Sequence, residues 1–144
     1  NIMQEKQVSF EIAKEMATFS DFNGPHIGAV VVDNKTILST GYNSYKTRPL
    51  QHRYNIYRHF KDYDTSYASG HAEINALSRL IGKEIKWDKV SIFIYRELKN
   101  GSRACARPCV ACMQLIRDLG IKNIYYSTND GFVHEKLENW RVIV

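Results

Sequence analysis

The chain has 144 residues, 44% of them hydrophobic and 24% charged, with only 8 Gly and 3 Pro. That composition excludes low-complexity disorder and a collagen-like chain, and the length suits one domain over residues 1–144. Lys and Arg exceed Asp and Glu by 20 to 15, a surplus of +5 that favours an anionic partner without choosing among nucleotide, nucleic acid or neither.

Val8, Ile12, Met16 and Phe19 recur at helical spacing, so residues 5–20 read as an amphipathic helix. Ile27 to Val32 is a short apolar run, Asp33-Asn34-Lys35 a turn, and Thr36 to Tyr42 a second strand. Residues 43–69 show neither period. A helix is expected from near His71, with Ser69 as its cap and Ile74, Leu77, Leu80 and Ile81 as its apolar face. Val90 to Tyr95 has a buried-strand pattern, and a polar loop is expected over 96–106. Pro108 suits the first turn of a helix running to Leu119, which Gly120 terminates. Lys122 to Ser127 reads as a strand, Asn129-Asp130-Gly131 as a turn, and Phe132 to Leu137 as a strand returning antiparallel. Trp140 to Val144 closes the chain. Helices alternating with strands give an α/β sandwich whose sheet is partly antiparallel.

No apolar run approaches the ~18 residues a membrane-spanning helix needs. Asn1 to Lys6 carries neither the basic flank nor the apolar stretch of a signal peptide. No membrane partner is expected.

Cys105, Cys109 and Cys112 are odd in number and crowded into one short stretch. They suit reduced, metal-binding chemistry better than a disulfide framework, and so a cytoplasmic location. On a helix, Cys109 and Cys112 lie about 60° apart around the axis and can share one ion. Two thiolates and the neutral imidazole of His71 offer zinc three ligands and leave a fourth position open, as in catalytic sites. The helix start behind Pro108 favours thiolates. His71 and Glu73 point about 200° apart around a helix, so they cannot bind as a pair on one mid-helix face. They converge only beyond the helix end, where Glu73 would face zinc-bound water and shuttle protons, the arrangement of hydrolytic deamination. Taken singly, PCxxC also fits a structural zinc half-site or a redox pair, and His-x-Glu arises by chance. Cys105 lies outside the motif and reads as a small loop thiol.

Jointly, His71-Ala72-Glu73 and Pro108-Cys109-Val110-Ala111-Cys112 form the H-x-E…P-C-x-x-C signature, and the chain resembles the zinc-dependent cytidine deaminase superfamily over most of its length. The resemblance implies a three-layer α/β/α sandwich around a five-stranded mixed sheet. It implies one catalytic zinc held by His71, Cys109 and Cys112, with Glu73 as proton shuttle. It also places Asn43 against a substrate sugar and the Ala72 N–H against a pyrimidine carbonyl.

The stretch 44–69 is an insertion rich in Tyr and basic residues, among them Tyr45, Tyr54, Arg53, Arg58 and Lys61. Such groups suit a nucleotide, a single strand whose bases stack, or a solvated lid. Arg48, five residues beyond Asn43, is the first candidate to hold a substrate phosphate. Arg107 stands before Pro108, where purine and transfer-RNA deaminases of the superfamily often carry Glu. The expected reaction is deamination of a free cytosine nucleotide or nucleoside, deoxycytidylate first, by zinc-bound hydroxide. The alternatives are a polynucleotide cytosine deaminase acting on single-stranded DNA or RNA, and a nucleic-acid-binding module with a structural zinc. Self-association into a homo-oligomer is expected.

Overall fold

The computed structural model describes residues 2–58 and 70–137. Its elements are α1 (Ile2–Ala17), β1 (His26–Asp33), β2 (Thr36–Tyr42), α2 (Pro49–Tyr54), α3 (Ala72–Ser78), β3 (Val90–Glu97), β4 (Arg103–Ala104), α4 (Val110–Leu119), β5 (Asn123–Ser127) and β6 (Phe132–Lys136). The sheet order is β2-β1-β3-β5-β6, with two-residue β4 also on β3. β1 runs antiparallel to β2 and β3, β3 is parallel to β5, and β6 returns antiparallel, as the Asn129-Asp130-Gly131 turn requires. The expected loop at 96–106 is instead a hairpin, because β3 continues two residues past Tyr95 and Arg96 and Glu97 pair with Ala104 and Arg103.

Side chains alternate across the sheet and divide the core in two. Ala29, Val31, Ile92, Ile94 and Ile124 face α3 and α4, meeting Ile74, Leu77, Leu115 and Ile116. Val30, Val32, Phe93 and Tyr125 face α1 and meet Phe10 and Ala13. Helices on both faces make three layers.

α1 departs from expectation. Phe10, Ala13 and Ala17 are buried, whereas Val8 and Phe19 are exposed. The reason is Gly28 on β1: a Cβ there would lie 1.9 Å from the Ala13 carbonyl oxygen and 2.6 Å from the Ala17 nitrogen. The helix backbone rests on the strand, and only its small residues fit that seam. Ile81 is likewise exposed, because α3 ends at Ser78 before its face reaches that far. Gly120 ends α4 with φ of 98°, as its position predicts.

Residues 44–58 form an irregular start followed by α2 and a 3-10 turn, Asn55–Arg58. Ser44 and Gly70 exchange backbone hydrogen bonds of 3.0 and 2.8 Å, so the insertion leaves and rejoins the fold at one point. Tyr54 donates to Asp118 of α4 at 2.8 Å, and burial followed by that bond pushes its phenol up to about 12. Ser69, Lys61 and Trp140 to Val144 lie outside the described residues, as does the Arg58 side chain.

Candidate active site

Two helix starts meet on one face of the sheet. His71 is the N-cap of α3 in extended conformation, and Cys109 is the N-cap of α4. Pro108 therefore precedes the helix rather than lying in its first turn. Extended N-caps let His71 and Cys109 turn toward each other, while Cys112 sits one turn inside α4. His71 Nδ1 is 3.3 Å from Cys112 Sγ and 3.5 Å from Cys109 Sγ. Tetrahedral zinc ligands at ~2.1 and ~2.3 Å stand about 3.6 Å apart, so the three donors fit zinc. Their donor atoms all lie within 4.8 Å of one another. The neighbouring Cys112 side chain, and then His71, hold the Cys109 thiol down at about 3 against the opposing effect of burial. A thiolate is thus available at neutral pH.

Glu73 is buried in the first turn of α3. It lines a cavity of about 320 Å³ together with His71, Cys109, Asn43, Ile27, Phe22, Pro25, Arg96, Cys105, Ala106 and Arg107. Burial pushes its carboxyl above the ordinary range, opposed chiefly by the charge of His71. Ala72 is the first residue of α3, so its N–H is among those with no intrahelical acceptor. Asn43 reaches the cavity wall as a brace: its Oδ1 accepts from Ile27 N at 2.8 Å and its Nδ2 donates to the Pro25 carbonyl at 2.9 Å. One amide hydrogen still remains for a ligand.

Arg48 is elsewhere. It lies in a separate recess with Tyr42, Gln51 and Asn75, a space with no room for water, and with the Asn75 amide turned so that its oxygen faces the guanidinium, Nη2 and Nε both donate to that oxygen at 2.9 Å. Cys105 is exposed on the cavity rim and lies outside the three-donor group.

Two contributors, Gln51 and Arg96, were not among the residues expected from the sequence. Fully buried Gln51 of α2 accepts from the His71 backbone N–H at 3.0 Å and donates to Asn55 at 2.8 Å. It holds the N-cap that carries the imidazole, and an aperiodic segment gives no signal for such a role. Arg96 ends the buried face of β3, following Val90, Ile92 and Ile94 at period two, and that alternation was readable. Arg107 makes a fork onto Glu135 of β6, Nε to Oε2 at 2.9 Å and Nη2 to Oε1 at 2.8 Å, and Tyr126 donates to the same carboxylate at 2.9 Å. This pins the loop before α4. Buried Ser127 does the same from β5, donating to the Ala104 carbonyl and accepting from Arg96 N.

A three-layer sheet fold with a Cys-Cys-His donor set and an adjacent buried carboxylate defines a zinc-dependent deaminase. Residues 3–128 match the cytidine and deoxycytidylate deaminase zinc-binding region, and the chain belongs to that family. Among solved structures it is similar to cytidine deaminase from Burkholderia pseudomallei, with TM-score 0.60 and 18% identity over 90% of this chain and 91% of that one. It is also similar to dCMP deaminase from the cyanophage S-TIM5, with TM-score 0.57 and 24% identity over 85% and 82%. Cytidine deaminase from Mycobacterium leprae follows, with TM-score 0.52 and 18% identity over 89% and 91%. At such identities the likeness is one of fold. A comparison with curated proteins finds no match.

Proposed function

We propose that this chain hydrolyses the exocyclic amine of a free cytosine nucleotide or nucleoside, with deoxycytidylate preferred and the uracil product and ammonia released. The observation that carries the reading is one cavity, sized for one small molecule, lined by His71, Cys109, Glu73 and Asn43, with the buried Cys112 donor atom within 4.8 Å of the other two. Zinc, when held by His71, Cys109 and Cys112, supplies Lewis acidity that lets water lose a proton near neutral pH.

Glu73 handles the protons. Its carboxylate accepts one from the attacking water and gives it to the ring nitrogen beside the reacting carbon. It then moves the second proton from the added oxygen to the amino group. The carbon–nitrogen bond breaks, a carbonyl forms, and ammonia leaves. Burial keeps bulk water from competing for those protons. The first-turn N–H of Ala72 and the spare amide hydrogen of Asn43 are donors for a pyrimidine carbonyl and a sugar hydroxyl.

A second reading, a deaminase of single-stranded polynucleotide, has its own support. Phe22 on the cavity wall packs 5.4 Å from Tyr45, which is exposed and free to stack a flanking base. Ammonia release from cytidine, deoxycytidine, deoxycytidylate and a cytosine-bearing oligonucleotide, compared as kcat/KM, separates the two. Deoxycytidylate should lead. Turnover of the oligonucleotide alone would overturn the first reading.

A further inference from the structure

We propose that Arg96 is the anion-binding wall of the cavity and takes the terminal phosphate of a mononucleotide substrate. This rests on the free-nucleotide reading above and names the residue that distinguishes nucleotide from nucleoside.

Arg96 is cross-strand partner to Ile27, so the two side chains share a sheet face. It is the face of α3 and α4, since Ile92 and Ile94 precede Arg96 at period two and pack there. Asn43 bonds to Ile27 through both its backbone N–H and its side chain. Asn43 just past β2, Ile27 on β1 and Arg96 on β3 therefore form a row along one cavity wall. The chemistry stands at the helix starts, at His71, Glu73 and Cys109. A ligand with its base there and its sugar toward Asn43 carries its phosphate along that row.

Among the described residues, the guanidinium groups that line the cavity are those of Arg96 and Arg107. Arg107 is committed, its fork closed on Glu135. Arg96 has no carboxylate partner among the described residues. Its Nη1 reaches the Cys105 carbonyl at a long 3.4 Å, and its Nε is buried with no partner. A guanidinium held against a cavity wall without an anion is costly, and it is suited to a phosphate that takes two N–H groups at once. Arg48 faces another recess, where its fork is directed at the Asn75 side chain.

The test compares zinc-loaded wild type with Arg96→Gln and Arg96→Lys. The readout is kcat/KM for deoxycytidylate divided by that for deoxycytidine. Arg96→Gln should lower this ratio by about 10- to 100-fold, the scale of a lost charge-assisted contact, and Arg96→Lys should restore part of it. A ratio that stays constant overturns the proposal, because a residue that only supports the fold would depress both substrates alike. Should Arg96→Gln fail to fold, calorimetry on the wild type decides: deoxyuridylate should bind at least about tenfold tighter than deoxyuridine, and equal affinity overturns the proposal. If Arg96→Gln instead lowers turnover of an oligonucleotide and leaves deoxycytidylate untouched, the ligand is a backbone phosphodiester and the assignment fails. Wild type that releases ammonia from no free substrate sinks the free-nucleotide reading, while the same calorimetry still reports on the phosphate.

Discussion

Cys109 and Cys112 meet His71 because each half of the site sits at the start of a helix. The N-cap conformation frees the Cys109 and His71 side chains from the helical spiral, and Cys112 supplies the second thiol one turn later. Cys109→Ala or Cys112→Ala should lose both zinc and thermal stability, since metal binding is part of the folding free energy. Metal analysis beside a melting curve checks this, and stoichiometric zinc in the double variant would contradict it. Gln51→Leu should destabilise by about 1–3 kcal/mol, because it removes the side-chain acceptor of the His71 N–H. Urea unfolding measures that loss. Glu135 carries the pH dependence at this scale. Arg107 holds its carboxyl below the ordinary range, so the pair stabilises above the unfolded pKa of about 4.3 and is lost as pH falls through the folded value. Arg107 is 48% exposed, so the contribution is under about 1 kcal/mol. Unfolding in urea at neutral and acid pH should show Glu135→Gln losing less on acidification than wild type; an equal loss would contradict the assignment.

Among elements, the helix–strand seams are set by glycines. A Cβ at Gly41 would lie 2.6 Å from the Ala76 nitrogen and 2.7 Å from the Ala72 oxygen, so α3 lies directly on β2 just as α1 lies on β1 at Gly28. Gly28→Val should therefore destabilise by about 3 kcal/mol or more, because backbone cannot move aside as a side chain can. Denaturant unfolding would show it, and a neutral result would mean the seam is looser than described. The same seam explains why the buried face of α1 differs from the one its large apolar residues mark. Spacing of large apolar residues points to Val8, Ile12, Met16 and Phe19, whereas the buried stripe is Phe10, Ala13 and Ala17, chosen by closeness of approach. The strands were legible because buried period-two patterns and turn dipeptides are local signals. The two-residue β4 was not, since its pairing depends on a hairpin across 98–102 with no alternation of its own.

At the scale of the molecule, the sheet serves as a frame that brings sequence-distant segments to one cavity: Phe22 and Pro25 before β1, Asn43 after β2, His71 and Glu73 at α3, and Arg107 and Cys109 before α4. The zinc donors and the carboxylate were legible from His71-Ala72-Glu73 and Pro108–Cys112 because helix geometry fixes what such spacings can share. Chain proximity to Asn43 carries no information about direction, and the fold turns Arg48 toward Asn75. No described helix is long and apolar enough to cross a membrane. In the proposed reaction His71, Cys109 and Cys112 hold zinc while Glu73, holding none, moves the protons. The most direct measurement is ammonia release from deoxycytidylate by wild type and Glu73→Gln at matched zinc content. The account predicts about one zinc per chain in both proteins and a loss of turnover of at least ~100-fold in the variant. Near-normal turnover in zinc-loaded Glu73→Gln, or loss of zinc from it, would contradict the account.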